Sequence, residues 1–340
     1  MTINVALVGA GYWGKKLLPK FRTAQDSSVA AVCDLDAGLR ADIEKAFPGT
    51  PTTAKYDDVL NDSTIDAVIL VTPPATHYAL GKKALQAGKH IWIEKPLALR
   101  YEEGKELVEL ARANRAVLFV DHTFLYDRAI RMAHDLATKG DMGEIYHVFL
   151  QRLNLGRIKR DSNVWWNSAP HDVSILLYLL KGRPKSVTLQ GYRYLQPEVE
   201  DLNMATIEMT DGASAFIYHN WLFPENTAKL TIVGSKKMLA YEGKFDKRAA
   251  TLYEYATGAA VGGGASADAN TIPSKMIAEH NLEGIATEEP LAAAVADFLG
   301  AIRDRRAPLS DGEFSLRVLA VLEAADRSLR STGKKIPIEP

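Results

Sequence analysis

Among its 340 residues the chain has a single cysteine, Cys33. An intramolecular disulfide is therefore impossible, and an oxidising compartment is not implied. Neither sign of charge is in excess: 41 basic and 42 acidic residues leave a formal net charge of −1. That balance speaks against a nucleic-acid or polyanion binder, which normally shows a basic excess or patch. Long apolar runs are missing as well. The most apolar helical candidate, SILLYLL near residues 174–180, is far too short to span a bilayer. The N-terminal MTINVALVGAG has no basic stretch ahead of a long apolar one, so no secretory leader is expected. The expectation is a cytoplasmic enzyme or binding protein without nucleic-acid or membrane partners.

What is present points to two domains. A chain of this length exceeds one small domain, and 47% apolar with 24% charged residues is the balance of a globular protein with a sizeable core. In the first 120 residues, apolar runs rich in Val and Ile alternate with helix-period segments. INVALVG (3–9), SVAAVCD (28–34), DAVILVT (66–72), HIWIE (90–94) and AVLFVDH (116–122) read as strands. GKKLLPKFRTAQ, THYALGKKALQAG and YEEGKELVELARAN read as helices, although Pro19 should kink the first of them. Strands that are nearly continuous in apolar residues, separated by amphipathic helices, indicate a parallel sheet covered on both faces.

The first strand runs into GAGYWG, so Gly9, Gly11 and Gly14 form G-x-G-x-x-G around Tyr12 and Trp13. The motif alone is weak, but here it follows a strand, opens a helix and precedes a second strand ending in Asp34, 20 residues beyond Gly14. That is the context a dinucleotide site requires. Gly9 permits the tight turn, Gly11 the approach of backbone to a pyrophosphate, and Gly14 close helix–strand packing. The helix N-terminus offers free N–H groups to the phosphates. Asp34 would accept from the ribose hydroxyls and repel a 2′-phosphate, favouring NAD over NADP, with Arg40 close enough in sequence to weigh the other way. A glycine turn that merely packs the sheet is the bland alternative.

Ligands of such sheets sit at the carboxyl ends of the strands. Three ends stand out: VTPPATH (71–77), EKP (94–96) and VDH (120–122). Thr72, Pro73 and His77 can contact a cofactor, while helix capping by Thr76 and a plain surface role for His77 stay open. Lys95 would stand above the sheet, where desolvation and an oxidised nicotinamide would both lower its pKa into the range useful for acid–base work. A snorkelling lysine at an exposed strand end is the other reading. Glu94 would hold Lys95 or meet the cofactor ribose.

Beyond residue 123 the pattern changes. IYHVFLQRLN, KSVTLQGYRYL, LNMATIEMTDGASAFIYHNWL and TAKLTIVGSKKMLAYEG imply a mostly antiparallel sheet, open on one face and suited to oligomerisation. ATGAAVGGGASADAN (256–270) reads as a flexible loop, and two amphipathic segments follow it. Within NVWWNSAPHDVSILLYLL (163–180), Ser168 reads as a cap, Pro170 as a first-turn residue and Asp172 as a dipole partner, which puts His171 in the first helical turn. A neutral imidazole there could exchange a proton with a substrate hydroxyl, or the ring could simply bond within the fold. Trp165 and Trp166 could stack on a sugar or pack inside.

These motifs together, G-x-G-x-x-G with Asp34, TPP…H, EKP and the PHD helix, resemble the Gfo/Idh/MocA oxidoreductase family over nearly the whole chain. The resemblance implies a fold that is α/β plus α+β: a doubly wound Rossmann domain at 1–122 and a domain with an open, mostly antiparallel sheet at 123–340. The final helices are free to pack back on the first domain. It implies metal-free hydride transfer between NAD(P) and a secondary hydroxyl or ketone of a sugar-like substrate, in a homodimer or homotetramer. By resemblance Lys95 and His171 are the catalytic pair. Many members carry Asp four residues before that histidine; this chain has Asn167, which can only hydrogen-bond a substrate hydroxyl. GRIKRDSNVWWNSAPHDVSILLYLL and LTIVGSKKMLAYEG look most like the nucleotide-sugar 3-dehydrogenases of the family. Arg157, with Lys159 and Arg160, would then meet a diphosphate, beside substrate contacts from Lys95, Trp165, Asn167 and His171. A ketosugar reductase, an inositol or free-sugar dehydrogenase, or a non-catalytic NAD-binding sensor are the alternatives.

Overall fold

The computed structural model describes residues 2–156, 158–243, 248–258, 270–285 and 289–339. The chain divides into two units, Met1–Tyr126 with Glu289–Glu323, and Asp127–Glu288 with Ala324–Pro340. Among the described residues no helix is long and apolar enough to cross a membrane.

The first unit is built on β1 (Ile3–Val8), β2 (Ser27–Cys33), β3 (Thr52–Thr53), β4 (Ala67–Leu70), β5 (His90–Ile93) and β6 (Leu118–Val120). All pair in parallel, in the order β3-β2-β1-β4-β5-β6. Strand order reverses between β1 and β4, which opens a crevice at their carboxyl ends. The crossovers carry α1 (Tyr12–Thr23), α2 (Ala37–Ala46), α3 (Tyr56–Asn61), α4 (His77–Gln86) and α5 (Tyr101–Ala113). Asp36 starts α2 by accepting from the Gly38 and Leu39 N–H groups at 2.7 and 3.1 Å. Contrary to expectation, α1 continues through Pro19. The proline forfeits one backbone bond, to the Lys15 carbonyl, and the buried Leu17, Leu18 and Phe21 hold the helix on the sheet.

One helix from the far end of the chain, and the part of the next up to Glu323, complete this unit. Side chains of β5 alternate between faces, so Trp92 points one way and Ile91 and Ile93 the other. On the first face Trp92 stacks on Phe119 at 4.1 Å, and Phe21 and Phe298 meet it edge-on at 5.5 and 5.7 Å. Phe298 comes from α8 (Pro290–Asp304). On the second face Ile91, Ile93, Leu118 and Val120 form one apolar cluster with Leu85, Leu107 and Leu316, the last from α9 (Gly312–Arg330). The β5–β6 edge is thus covered on both sides.

Among the described residues the second unit holds α6 (Arg128–Thr138), α7 (Val164–Leu179) and nine strands. They are β7 (Ile145–Leu153), β8 (Pro184–Tyr192), β9 (Leu202–Met209), β10 (Ser214–Asn220), β11 (Thr227–Gly234), β12 (Lys237–Gly243), β13 (Arg248–Thr257), β14 (Ser274–Asn281) and β15 (Ile336–Pro337). Their order is β14-β13-β12-β11-β7-β10-β9-β8-β15, antiparallel throughout except for the β7–β10 pair. Ala205, Ile207, Ala215, Ile217 and His219 face inward, while Met204 and Phe216 lie exposed on the other face. Strands β13, β14 and β15 were not anticipated. Of the expected loop at 256–270, residues 259–269 lie outside the described residues.

Phe298→Ala should remove the edge-on cover of Trp92 and lower unfolding stability by about 3–5 kcal/mol. A denaturant titration would show this as a shifted midpoint.

Candidate active site

The turn after β1 is shaped by its glycines. Gly9 has φ +102°, and a Cβ there would stand 2.7 Å from the Val71 carbonyl oxygen. A Cβ on Gly14 would stand 2.0 Å from the Gly9 carbonyl oxygen, so helix and strand approach as closely as backbone allows. Gly11 is the N-cap of α1, without a side-chain cap and with open space where its Cβ would lie. The leading N–H groups of α1 therefore face a concavity that an anion would fill. Asp34, at the end of β2, accepts from the Ala10 N–H at 2.6 Å and the Asp36 N–H at 2.9 Å. Its carboxylate is thereby fixed against the glycine turn. Arg40 donates to the Asp34 and Leu35 carbonyls at 2.8 and 3.1 Å. Tyr12 and Trp13 are half exposed, with the Lys16 ammonium 4.5 and 4.9 Å from their ring centres. An anion cradle and a carboxylate placed to receive ribose hydroxyls fit a dinucleotide.

The neighbouring strand ends carry the ionisable groups. His77 is fully buried; Nδ1 lies 2.8 Å from the Pro96 carbonyl and Nε2 2.8 Å from the Thr72 carbonyl. Burial lowers its pKa, and the charge of Lys95 adds to that against the two carbonyls. The ring ties the end of β4 to the EKP segment and offers no free edge to a cofactor. Thr76 does not cap α4 by its side chain; its hydroxyl bonds Thr72 Oγ1 and the Pro73 carbonyl, both at 2.7 Å. Thr72 is half buried, and Pro73 is exposed.

Lys95 is the second residue after β5 and is half buried. On one side of it in sequence is Glu94, buried, and on the adjoining strand end are Asp121 and His122, both almost wholly enclosed. The register pairs Ile93 with Val120, and the Asp121 N–H donates to the Ile93 carbonyl at 2.8 Å. Glu94 and Asp121 are therefore the next residues on two neighbouring strands, and their side chains hydrogen-bond. Burial raises both carboxyl pKa values, Glu94 furthest because the Asp121 charge adds to its burial. The Thr123 hydroxyl, the Glu94 bond and the Lys95 charge all favour the ionised form of Asp121. His122, with burial and then Lys95 acting on it, is pushed down to about 3 and is neutral. Neither of its ring nitrogens has a hydrogen-bond partner among the described residues.

In the second unit α7 begins earlier than anticipated. Asn163 is the N-cap, accepting from the Trp166 N–H at 3.1 Å, and the helix runs through Pro170. His171 consequently lies in the third helical turn, out of range of the N-terminal dipole, which falls off within the first turn. Asn167 and His171, four residues apart, share a helix face and are both half buried. Trp165 is fully buried, packed against His219 at 6.0 Å between ring centres, so its surface is spent in the core. Trp166 is half buried, with Nε1 bonded to Asp326 at 3.2 Å. Arg157 lies outside the described residues, and Lys159 and Arg160 are exposed.

Next to His171, Asp172 anchors the helix. It accepts two bonds from Arg152, at 2.8 and 3.2 Å, and one from His219 Nε2 at 2.8 Å, while His219 Nδ1 faces Asn203 at 3.1 Å. Burial would raise its pKa, but the Arg152 charge and the His219 bond prevail and hold it at about 2. Asp121, Arg152 and His219 were not singled out from the sequence. Asp121 had a local signal, as part of the strand end VDH. Arg152, on the strand before α7, and His219, 47 residues beyond Asp172, had none, because only the fold brings them to that carboxylate.

The glycines, Tyr12, Trp13 and Asp34 thus gather at one end of the parallel sheet, with Thr72, Pro73, Glu94 and Lys95 at other strand ends of the same edge. Trp165, Asn167 and His171 lie on α7. Two family models match the chain: an oxidoreductase family with an NAD-binding Rossmann fold over residues 3–122, and the GFO/IDH/MocA C-terminal domain over residues 130–240. An uncharacterized oxidoreductase of Schizosaccharomyces pombe is 34% identical over 170 residues, 46% of this chain and 45% of its own length, so the chain spans under half of that relative. The UDP-N-acetylglucosamine 3-dehydrogenase of Acidithiobacillus ferrooxidans is 26% identical over 324 residues, 94% of each chain. A solved structure of that enzyme superposes with a TM-score of 0.81, covering 98% of this chain and 99% of that one at 23% identity. Levoglucosan dehydrogenase in complex with NADH gives a TM-score of 0.81 over 100% of both chains at 19% identity. Structural likeness at such identities speaks for the fold.

Asp34→Ala should weaken NAD binding about 10–100-fold through the lost charge-assisted bonds, and should narrow the preference against NADP. Isothermal titration with both dinucleotides measures each effect. Asp172→Asn should cost roughly 3 kcal/mol at neutral pH, the low end for a broken buried pair because Arg152 is partly exposed. Since the folded Asp172 pKa of about 2 lies below the usual 3.8, its stabilising contribution is full above about pH 4 and is lost as pH falls through about 2. The stability gap between wild type and variant should therefore close in acid, as denaturant midpoints at pH 7, 4 and 2.5 would show.

Proposed function

The chain belongs to the Gfo/Idh/MocA oxidoreductase family, and from that premise we propose that it is an NAD-dependent dehydrogenase. Its substrate is a sugar or nucleotide sugar, oxidised at a secondary hydroxyl, with C3 favoured. The observation that carries the proposal is a single edge of the parallel sheet. There the Gly9–Gly14 cradle and Asp34 stand at the ends of β1 and β2, with Lys95 at the end of β5. A dinucleotide-binding edge that also carries a half-buried lysine next to buried carboxyls is equipped for proton transfer as well as for binding.

The bound oxidised nicotinamide supplies the hydride acceptor. The protein supplies the rest. Lys95 and His171 bind the reacting hydroxyl, and one of them takes its proton as the carbon loses hydride, leaving a ketone. Asn167, on the same helix face as His171, hydrogen-bonds a neighbouring hydroxyl and, unlike an aspartate, takes no proton. Asp172, held by Arg152 and His219, fixes the helix turn from which His171 projects. The nucleotide-sugar form of the substrate is supported by the full-length likeness to the UDP-N-acetylglucosamine enzyme and by Lys159 and Arg160 in the exposed loop before α7. The open sheet face bearing Met204 and Phe216 supports a homodimer or homotetramer. The lone cysteine accords with a cytoplasmic setting.

Reduced-nicotinamide absorbance, followed with NAD against a panel of UDP-sugars, free sugars and inositols, tests the reading. Turnover is expected with a sugar bearing a free secondary hydroxyl, and Lys95→Ala should lower kcat about 10²–10⁴-fold. Tight NAD binding without turnover on any of them would favour a sensor, and full turnover in Lys95→Ala would remove the lysine from the chemistry.

A further inference from the structure

Two buried carboxyl groups in hydrogen-bond contact are an uncommon arrangement, and the proposed chemistry assigns no protonation state to Glu94 or Asp121. Their placement follows from register. β5 and β6 end one residue short of them, so the strands deliver both side chains to the same level, and the apolar packing on each face of the β5–β6 edge keeps water from them. Two carboxylates in that setting repel each other in a medium that screens poorly; a single proton held between them removes the repulsion and supplies the hydrogen bond. The Thr123 hydroxyl marks which partner keeps the charge, because it donates to Asp121 Oδ1. Glu94 receives only the Lys95 backbone N–H, whereas Asp121 receives both the hydroxyl and the backbone N–H of Thr123, so Glu94 is left as the acid, donating to Asp121.

The titratable groups around Lys95 in this unit are Glu94 on its own strand end, Asp121 and His122 at the end of β6, and His77 on α4. Both histidines are buried, and each is disfavoured as a cation by the charge of Lys95 itself. One negative charge then faces one positive charge. We propose that Glu94 and Asp121 form a one-proton carboxyl dyad beside Lys95, with Glu94 carrying the proton and Asp121 the charge, and that this dyad is the positioning element that sets how readily Lys95 releases its own proton. The inference rests on Lys95 being the proton-handling group, and it specifies what governs that group. Asp121 acts through Lys95 and touches no substrate.

The dyad has an asymmetric signature. Glu94→Gln replaces a neutral donor by a neutral donor, whereas Asp121→Asn removes the charge. Competitive acetylation of the full-length protein across a pH series, with Lys95 quantified by peptide mass spectrometry, reads the apparent pKa of its amine without any substrate. Asp121→Asn should lower that value by about one unit or more, so that Lys95 reacts about tenfold faster at a given pH below it. Glu94→Gln should leave it in place. In a substrate assay the acid limb of the kcat/KM profile should move down with Asp121→Asn in the same sense. Infrared spectroscopy provides a second measurement that does not depend on Asp121→Asn folding. At neutral pH the wild type should show the carbonyl band of a protonated buried carboxylic acid, and Glu94→Gln should lack it. Equal shifts of Lys95 in the two variants would overturn the proposal, since both carboxyls would then be charged. No shift in either, or a carbonyl band unaffected by Glu94→Gln, would overturn it as well. Absence of turnover with every sugar, by contrast, bears on the dehydrogenase assignment and leaves the labelling and infrared results to judge the dyad.

Discussion

A parallel sheet stays in place only if both of its faces are kept from water, and the first unit depends on that requirement. The crossover helices cover much of the sheet, but the β5–β6 edge is closed by Phe298 on one face and Leu316 on the other, from helices that begin at Pro290 and Gly312. The consequence reaches past stability. Dry faces at β5 and β6 mean a poorly screening medium at the ends of those strands, where Glu94, Lys95, Asp121 and His122 sit. Burial is the first cause of the shifts at Glu94, Asp121, His122 and His77 alike.

The two units answer the cost of a buried carboxyl in opposite ways. Around Asp172 there are a guanidinium donating two bonds and an imidazole donating one, enough to overcome burial and keep the carboxylate ionised to about pH 2. Around Glu94 and Asp121 there are two acids, a hydroxyl and one ammonium, and burial prevails. The first arrangement makes a rigid anchor for the helix that carries His171. The second keeps a proton and a charge next to Lys95, in a form that responds to its surroundings.

Backbone geometry at the glycine turn is of a third kind. The positive φ of Gly9 and the contact that a Cβ on Gly14 would make with the Gly9 carbonyl are steric conditions, indifferent to pH and solvent. They set the turn, and Asp34 then bonds the Ala10 N–H and is held in place by it.

The residues that could be read in advance are those whose role is local. Apolar runs, helical periods, the spacing from Gly14 to Asp34 and the strand ends TPP and EKP depend on neighbours within a few turns of chain, and the Rossmann sheet and the open antiparallel sheet follow from them. Sequence alone determined that there is a dinucleotide-type turn, which strand ends carry ionisable groups, and that Lys95 and His171 are the groups to examine. Tertiary structure decided the rest, because burial and register are set by segments far apart. It enclosed His77 between two carbonyls and Trp165 in the core, started α7 at Val164 so that His171 lost the dipole expected of a first turn, and added β13 and β14 beyond the strands anticipated. It also brought Asp121 level with Glu94, a pairing of residues 27 apart that no local pattern contains, since it arises from the parallel register of two strands joined by a helix.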